Sequence, residues 1–151
     1  MITPNKLLEH ARSELAYSGQ NKPRQADLHR AVSTAYYAAF HSLSQTVASE
    51  FVPAASKETR LVFARAIDHG KAKDICAAWS SCSDPVLRKF AAALKNLYQQ
   101  RTDCDYNLQY KISKAETLVA ITEAAGAMQS LDRADPGLRR DFLAAVLLKR
   151  R

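Results

Sequence analysis

Asp84-Pro-Val-Leu-Arg-Lys-Phe-Ala-Ala-Ala-Leu-Lys-Asn-Leu-Tyr98 is the segment on which the fold turns. An Asp followed at once by Pro is a helix-opening pair: the carboxylate accepts from free amides of the first turn, and Pro needs no donor there. Leu87, Phe90, Ala91, Leu94, Leu97 and Tyr98 then recur at spacings of three and four. That spacing gathers them on one face of an α-helix and makes a buried stripe.

The same punctuation recurs on either side. Thr3-Pro4 opens a helix that Gly19 closes, and a second helix starts between Arg24 and Asp27 and runs to about Glu50, before Pro53. Ser56 caps a third, which is expected to stop near His69-Gly70, followed by a short helical piece from Ala72 to Trp79. Ser113-Lys-Ala-Glu116 is a capping box that opens a helix to about Leu131, and Asp135-Pro136 starts a last, basic helix ending in Lys149-Arg-Arg151. No segment alternates as a strand would. The pattern predicts an all-α fold, an up-and-down helical bundle of four long helices with a short insert helix and a C-terminal helix. A chain of 151 residues fits one domain, here spanning 1–151, with 135–151 as its basic C-terminal helix.

Composition narrows the function classes. No apolar run approaches the roughly 20 residues of a membrane-spanning helix, and the N-terminus lacks the layout of a secretion signal. Cys76, Cys82 and Cys104 form no CxxC pair and leave one thiol over, which argues against a disulfide framework or structural zinc and points to a reducing cytoplasm. No metal or cofactor motif is present: there is no phosphate-cradling Gly loop, no HExxH and no GxSxG. The formal charge of +7 favours an acidic partner such as nucleic acid. Arg139, Arg140, Lys149, Arg150 and Arg151 supply much of it, and they serve equally well as a solvated helix end.

Two segments carry chemistry. On the second helix Val32, Tyr36, Ala39, Phe40, Leu43 and Val47 form an apolar stripe, with Ser33, Tyr37, His41 and Ser44 as a polar stripe beside it. His41 has a ring suited to proton exchange near neutral pH, or to a structural bond at the edge of the core. Arg101-Thr-Asp-Cys-Asp-Tyr106 ends the fifth helical pattern. If the helix persists through it, Arg101 and Asp105 are four apart and pair; Arg101 is a forked cation suited to phosphate. The Cys104 thiol, beside two carboxylates, is a poor nucleophile. His69 either reaches this region or caps the third helix's C-terminus. Trp79 and Tyr98 read as core or interface.

Arg30-Ala-Val-Ser-Thr-Ala-Tyr-Tyr-Ala-Ala-Phe-His41 and Arg101-Thr-Asp-Cys-Asp-Tyr106 together resemble the two signatures of HEPN-domain proteins, a basic residue before Ala-Tyr-Tyr-Ala and Phe-His, then Arg-x-x-Ala-Asp-Tyr. His69 falls where a histidine between them is often seen. The resemblance covers residues 24 to about 130 and implies a helical bundle that forms a homodimer. Many members are metal-independent ribonucleases in toxin–antitoxin or defence systems; others bind nucleotides or act beside a nucleotidyltransferase partner. It implies Arg101, Asp105 and His41 as catalytic residues, and Tyr37, Arg101, Tyr106 and His69 as residues binding RNA or nucleotide. In the ribonuclease members a His follows the Arg by four to six residues. Here Asp105, Tyr106 and Asn107 hold those positions, so His41 or His69 would supply proton transfer from another helix. Three functions stand open: a metal-independent ribonuclease, a non-catalytic module binding a nucleotide or an antitoxin or nucleotidyltransferase partner, and a purely structural role for both motifs.

Overall fold

The computed structural model describes residues 2–15 and 24–148, and among them the chain is all-helical. Seven helices follow in order: α1 (Pro4–Leu15), α2 (Gln25–Phe51), α3 (Lys57–Arg65), α4 (His69–Trp79), α5 (Pro85–Tyr106), α6 (Lys114–Arg133) and α7 (Pro136–Leu147). Three exceed the rest in length, α2, α5 and α6, with 27, 22 and 20 residues. The expected run of α1 to Gly19, like the basic end at 149–151, falls outside the described residues.

Helix α2 is the axis of the fold, packed against α1, α3, α5, α6 and α7. Its small residues Ala31, Ala35, Ala38 and Ala39 are fully buried, as are Ala120 and Ala124 on α6. Side chains this short let helix backbones approach closely. Larger groups fill the remaining space: Leu43, Leu87, Phe90, Leu94, Leu97, Ile121 and Leu131 all lose essentially all contact with water. Both apolar stripes read from the sequence lie in this core, apart from Tyr98, which is only half-buried.

The direction of α5 against α2 follows from three contacts. The Gln25 amide exchanges two hydrogen bonds with the Ile112 backbone, at 2.9 and 3.0 Å. Further along α2, Ser33 meets Asp105, and then Tyr36 meets Arg101. As the α2 number rises its α5 partner falls, so the two helices are antiparallel. On its other side α5 meets α6, where the Asn96 amide donates to Glu123. The end of α5 is thus laid along the first half of α2, which sets where the site forms.

Caps fix the boundaries. Asp84 accepts from the Val86 amide at the start of α5 and also from the Asp135 amide at 2.8 Å, tying the starts of α5 and α7 together. Ser113 and Glu116 exchange the two bonds of a capping box at α6. One boundary differs from the sequence reading. The third helix ends at Arg65, and His69 does not cap its C-terminus; it is the first residue of α4. Asp68 decides this, because its carboxylate accepts from the Lys71 amide and so nucleates a new helix. Gly70 therefore lies within a first turn rather than ending a last one.

Two of the C-terminal cations are used inside the fold. Arg139 donates to the Leu131 and Asp132 carbonyls that end α6, and Arg140 faces Glu50 at 3.6 Å. On α7, Phe142 is fully buried against Phe90 and Trp79. Phe142→Ala empties the centre of this cluster and is expected to cost about 3–5 kcal/mol of stability, read as a lowered urea midpoint with an unchanged m-value.

Candidate functional site

The fold brings one face of α2 (Ser33, Tyr36, Tyr37, His41), the first turn of α4 (His69) and the last turns of α5 (Tyr98, Arg101, Asp105) to one place. Helix α5 does persist through Arg101 to Tyr106. Three and four residues apart, Tyr98, Arg101 and Asp105 share its inward side.

Arg101 is the centre. It is only 8% exposed. Its guanidinium carbon lies 4.9 Å from the centroid of the Tyr36 ring, 5.1 Å from that of Tyr98 and 6.0 Å from that of Tyr37. Each ring face offers negative potential to the cation. Its carboxylate neighbour Asp105 stands at 3.9 Å, a long contact, and the buried Nε–H has no hydrogen-bond partner among the described residues. A charge withdrawn from water normally gains a close, fully bonded counter-ion. Here the compensation is incomplete.

Asp105 is held from its other side. The Ser33 hydroxyl donates to Oδ1 at 2.5 Å, while Oδ2 is the oxygen facing Arg101. Both oxygens are therefore committed, and the carboxylate acts as a strut between α2 and the arginine.

The histidines come from two other helices. The His69 ring stacks on Phe40 with centroids 3.7 Å apart and meets Tyr37 edge-on at 5.9 Å. Its Nδ1 is 2.7 Å from the Tyr36 hydroxyl. Burial pushes the Tyr36 phenol well above its ordinary pKa, only partly offset by Arg101, so the phenol stays protonated. That contact engages Nδ1 of His69 and leaves Nε2 as the ring's other nitrogen. Burial lowers the His69 pKa, and Arg101 and His41 add to that against an opposing pull from Asp68. His41, stacked on Tyr37 at 6.3 Å, is lowered by partial burial as well. Both rings are neutral at neutral pH. Cys104 is a thiol raised to about 11, by burial first and then by Asp105 and Asp103, and takes no part as a nucleophile.

Of the residues singled out in the sequence, Arg101, Asp105, Tyr37, His41 and His69 converge. Tyr106 does not join their ring contacts: it is 75% exposed on the final turn of α5. Two contributors escaped the sequence reading. Tyr36 looked like an apolar-stripe residue because its ring does enter the core, and Tyr98 looked like core for the same reason. For Tyr98 the signal was available in its spacing, three residues before Arg101.

No family model, curated protein or solved structure matches this chain. The function therefore has to be argued from the arrangement itself. Among the described residues no helix is long and apolar enough to cross a membrane.

The lowered histidines link folding to pH with a definite sign. In the unfolded chain they take up protons near pH 6.5, where the folded chain still excludes them. Stability is thus complete above that value and declines as pH falls from about 7 towards 5. The urea midpoint of wild type is expected to drop over this interval, and that of a His41→Asn, His69→Asn double variant to drop less. Equal drops in the two proteins would show that other groups govern the transition.

Proposed function

We propose that this chain is a HEPN-like RNA-binding protein that cleaves RNA without a metal ion, using Arg101 to hold the scissile phosphate and His41 and His69 to move protons. The observation that carries the reading is the under-compensated, buried Arg101, with a neutral His69 within reach of its charge and His41 one ring further out, beyond Tyr37. A phosphate oxygen would complete the hydrogen bonding that the protein leaves open.

In this reading the 2′-hydroxyl loses its proton to one neutral histidine and attacks the adjacent phosphorus. The bond from phosphorus to the 5′-oxygen breaks. The other histidine, protonated, gives its proton to that oxygen, leaving a 2′,3′-cyclic phosphate and a 5′-hydroxyl. Charge that builds on the non-bridging oxygens is met by Arg101. Asp105 positions the arginine and transfers no proton. Two histidines on α2 and α4 thereby fill the place left by the residue that does not follow Arg101. The reading also expects a homodimer, which sedimentation would report.

A second reading, a non-catalytic nucleotide-binding module, is favoured by one detail: Asp105, Tyr106 and Asn107, and no histidine, follow Arg101.

Purified protein incubated with mixed RNA and a chelator separates the two. Wild type is expected to release cyclic-phosphate ends. Arg101→Ala is expected to lower the rate about 10²–10³-fold, and His41→Ala or His69→Ala about 10²–10⁴-fold. The rate should be highest on the acid side of neutrality, where one of the two depressed histidines carries a proton. RNA left intact at every pH, with nucleotide binding still lost in Arg101→Ala, would establish the second reading instead.

A further inference from the structure

One cation outside this cluster shares a ring with it. Lys73 lies four residues after His69 on α4, and that spacing puts both on one helix face. Its Nζ is 5.5 Å from the centroid of Tyr98, the same ring whose centroid stands 5.1 Å from the Arg101 guanidinium. Two like charges are thus gathered around one phenol. The carboxylate paired with Lys73 is its sequence neighbour Asp74, at 2.8 Å and largely exposed. Such a surface pair is weak and readily exchanged for another anion.

We infer that Lys73 forms a second phosphate subsite next to Arg101, so that the ligand is a single strand of RNA carrying two successive phosphates, with Tyr98 between the two cations. The inference rests on the reading of Arg101 as a phosphate ligand. It divides the labour by burial. Arg101, nearly withdrawn from water, grips one phosphate closely. Lys73, on a long stem nearer the surface, screens the next. Asp74 competes with the strand for Lys73 and so weakens the subsite.

The test measures binding of a short 2′-O-methyl RNA, whose blocked 2′-oxygen cannot attack, by fluorescence anisotropy across a salt series. Each phosphate neutralised on a single strand contributes about 0.7 to the slope of log affinity against log salt. Lys73→Gln is expected to reduce the slope by about 0.7, Lys73→Arg to keep it, and Asp74→Asn to tighten binding. A nucleoside monophosphate, with one phosphate only, should bind Lys73→Gln as it binds wild type. An unchanged slope in Lys73→Gln, with binding still weakened by Arg101→Gln, would overturn the subsite and leave the Arg101 site standing. Binding of the oligonucleotide indifferent to Arg101→Gln would overturn both. Because Lys73 and Asp74 lie at the surface of α4, helical content by circular dichroism should equal wild type in their variants, so any change of binding in them is read directly.

Discussion

Everything at the site depends on a cation that the protein has buried without fully satisfying it. Arg101 sits among Tyr36, Tyr37 and Tyr98, with one carboxylate at the edge of pairing distance and an unbonded Nε–H. Cation–π contacts of this kind are worth roughly 0.5–2 kcal/mol each. The effective desolvation penalty of a charge is several kcal/mol. Three rings and one long ion contact can hold the guanidinium, but they leave it with bonding capacity to spare. A residue selected only to staple α5 to α2 would be better served by a closer carboxylate or an apolar side chain.

The antiparallel pairing of α2 and α5 is what makes this arrangement possible. Gln25 grips the backbone at Ile112, and Ser33 grips Asp105. With these two points fixed, Arg101 has to come opposite Tyr36 and Tyr37. Asp105 therefore does its work at one remove. Engaged by Ser33 on one oxygen, it faces Arg101 with the other.

Much of this was legible in the residues. The stripe from Leu87 to Leu97, the Asp-Pro pairs and the Ser113 capping box all marked helices that are present, because caps and 3.6-residue periodicity are local properties. The pairing of Arg101 with Asp105 follows from spacing alone once the helix is known to continue. Other features depend on tertiary packing. Asp68 could be read as a capping residue only by knowing that the chain breaks at Arg65, and without that His69 looked like the end of a helix rather than the start of the next. Tyr36 and Tyr98 were taken as core since a tyrosine ring at an apolar position is usually just that; which side its hydroxyl or its ring face presents to a neighbour is not written in the periodicity. Where the basic C-terminal residues turn is likewise tertiary: Arg139 donates to the end of α6 and Arg140 faces Glu50.

The helix that carries His69 and Lys73 lies to one side of the α2 axis. Helix α4 packs on α5 and α7, whereas α2 touches most of the fold. Its first turn is held by the Asp68 cap, by the Phe40 stack and by the Tyr36 hydroxyl. Its far end leans through Trp79 on Phe142 of α7, and the Lys71 amino group reaches the Leu148 carbonyl at the end of α7. Helix α7 is in turn anchored where Asp84 receives the Asp135 amide. A chain of contacts therefore runs from the start of α5, through α7 and α4, back to the end of α5 where Arg101 lies. Loosening α7 would free the far end of α4 first, because His69 at its start stays held to α2 by Phe40 and Tyr36.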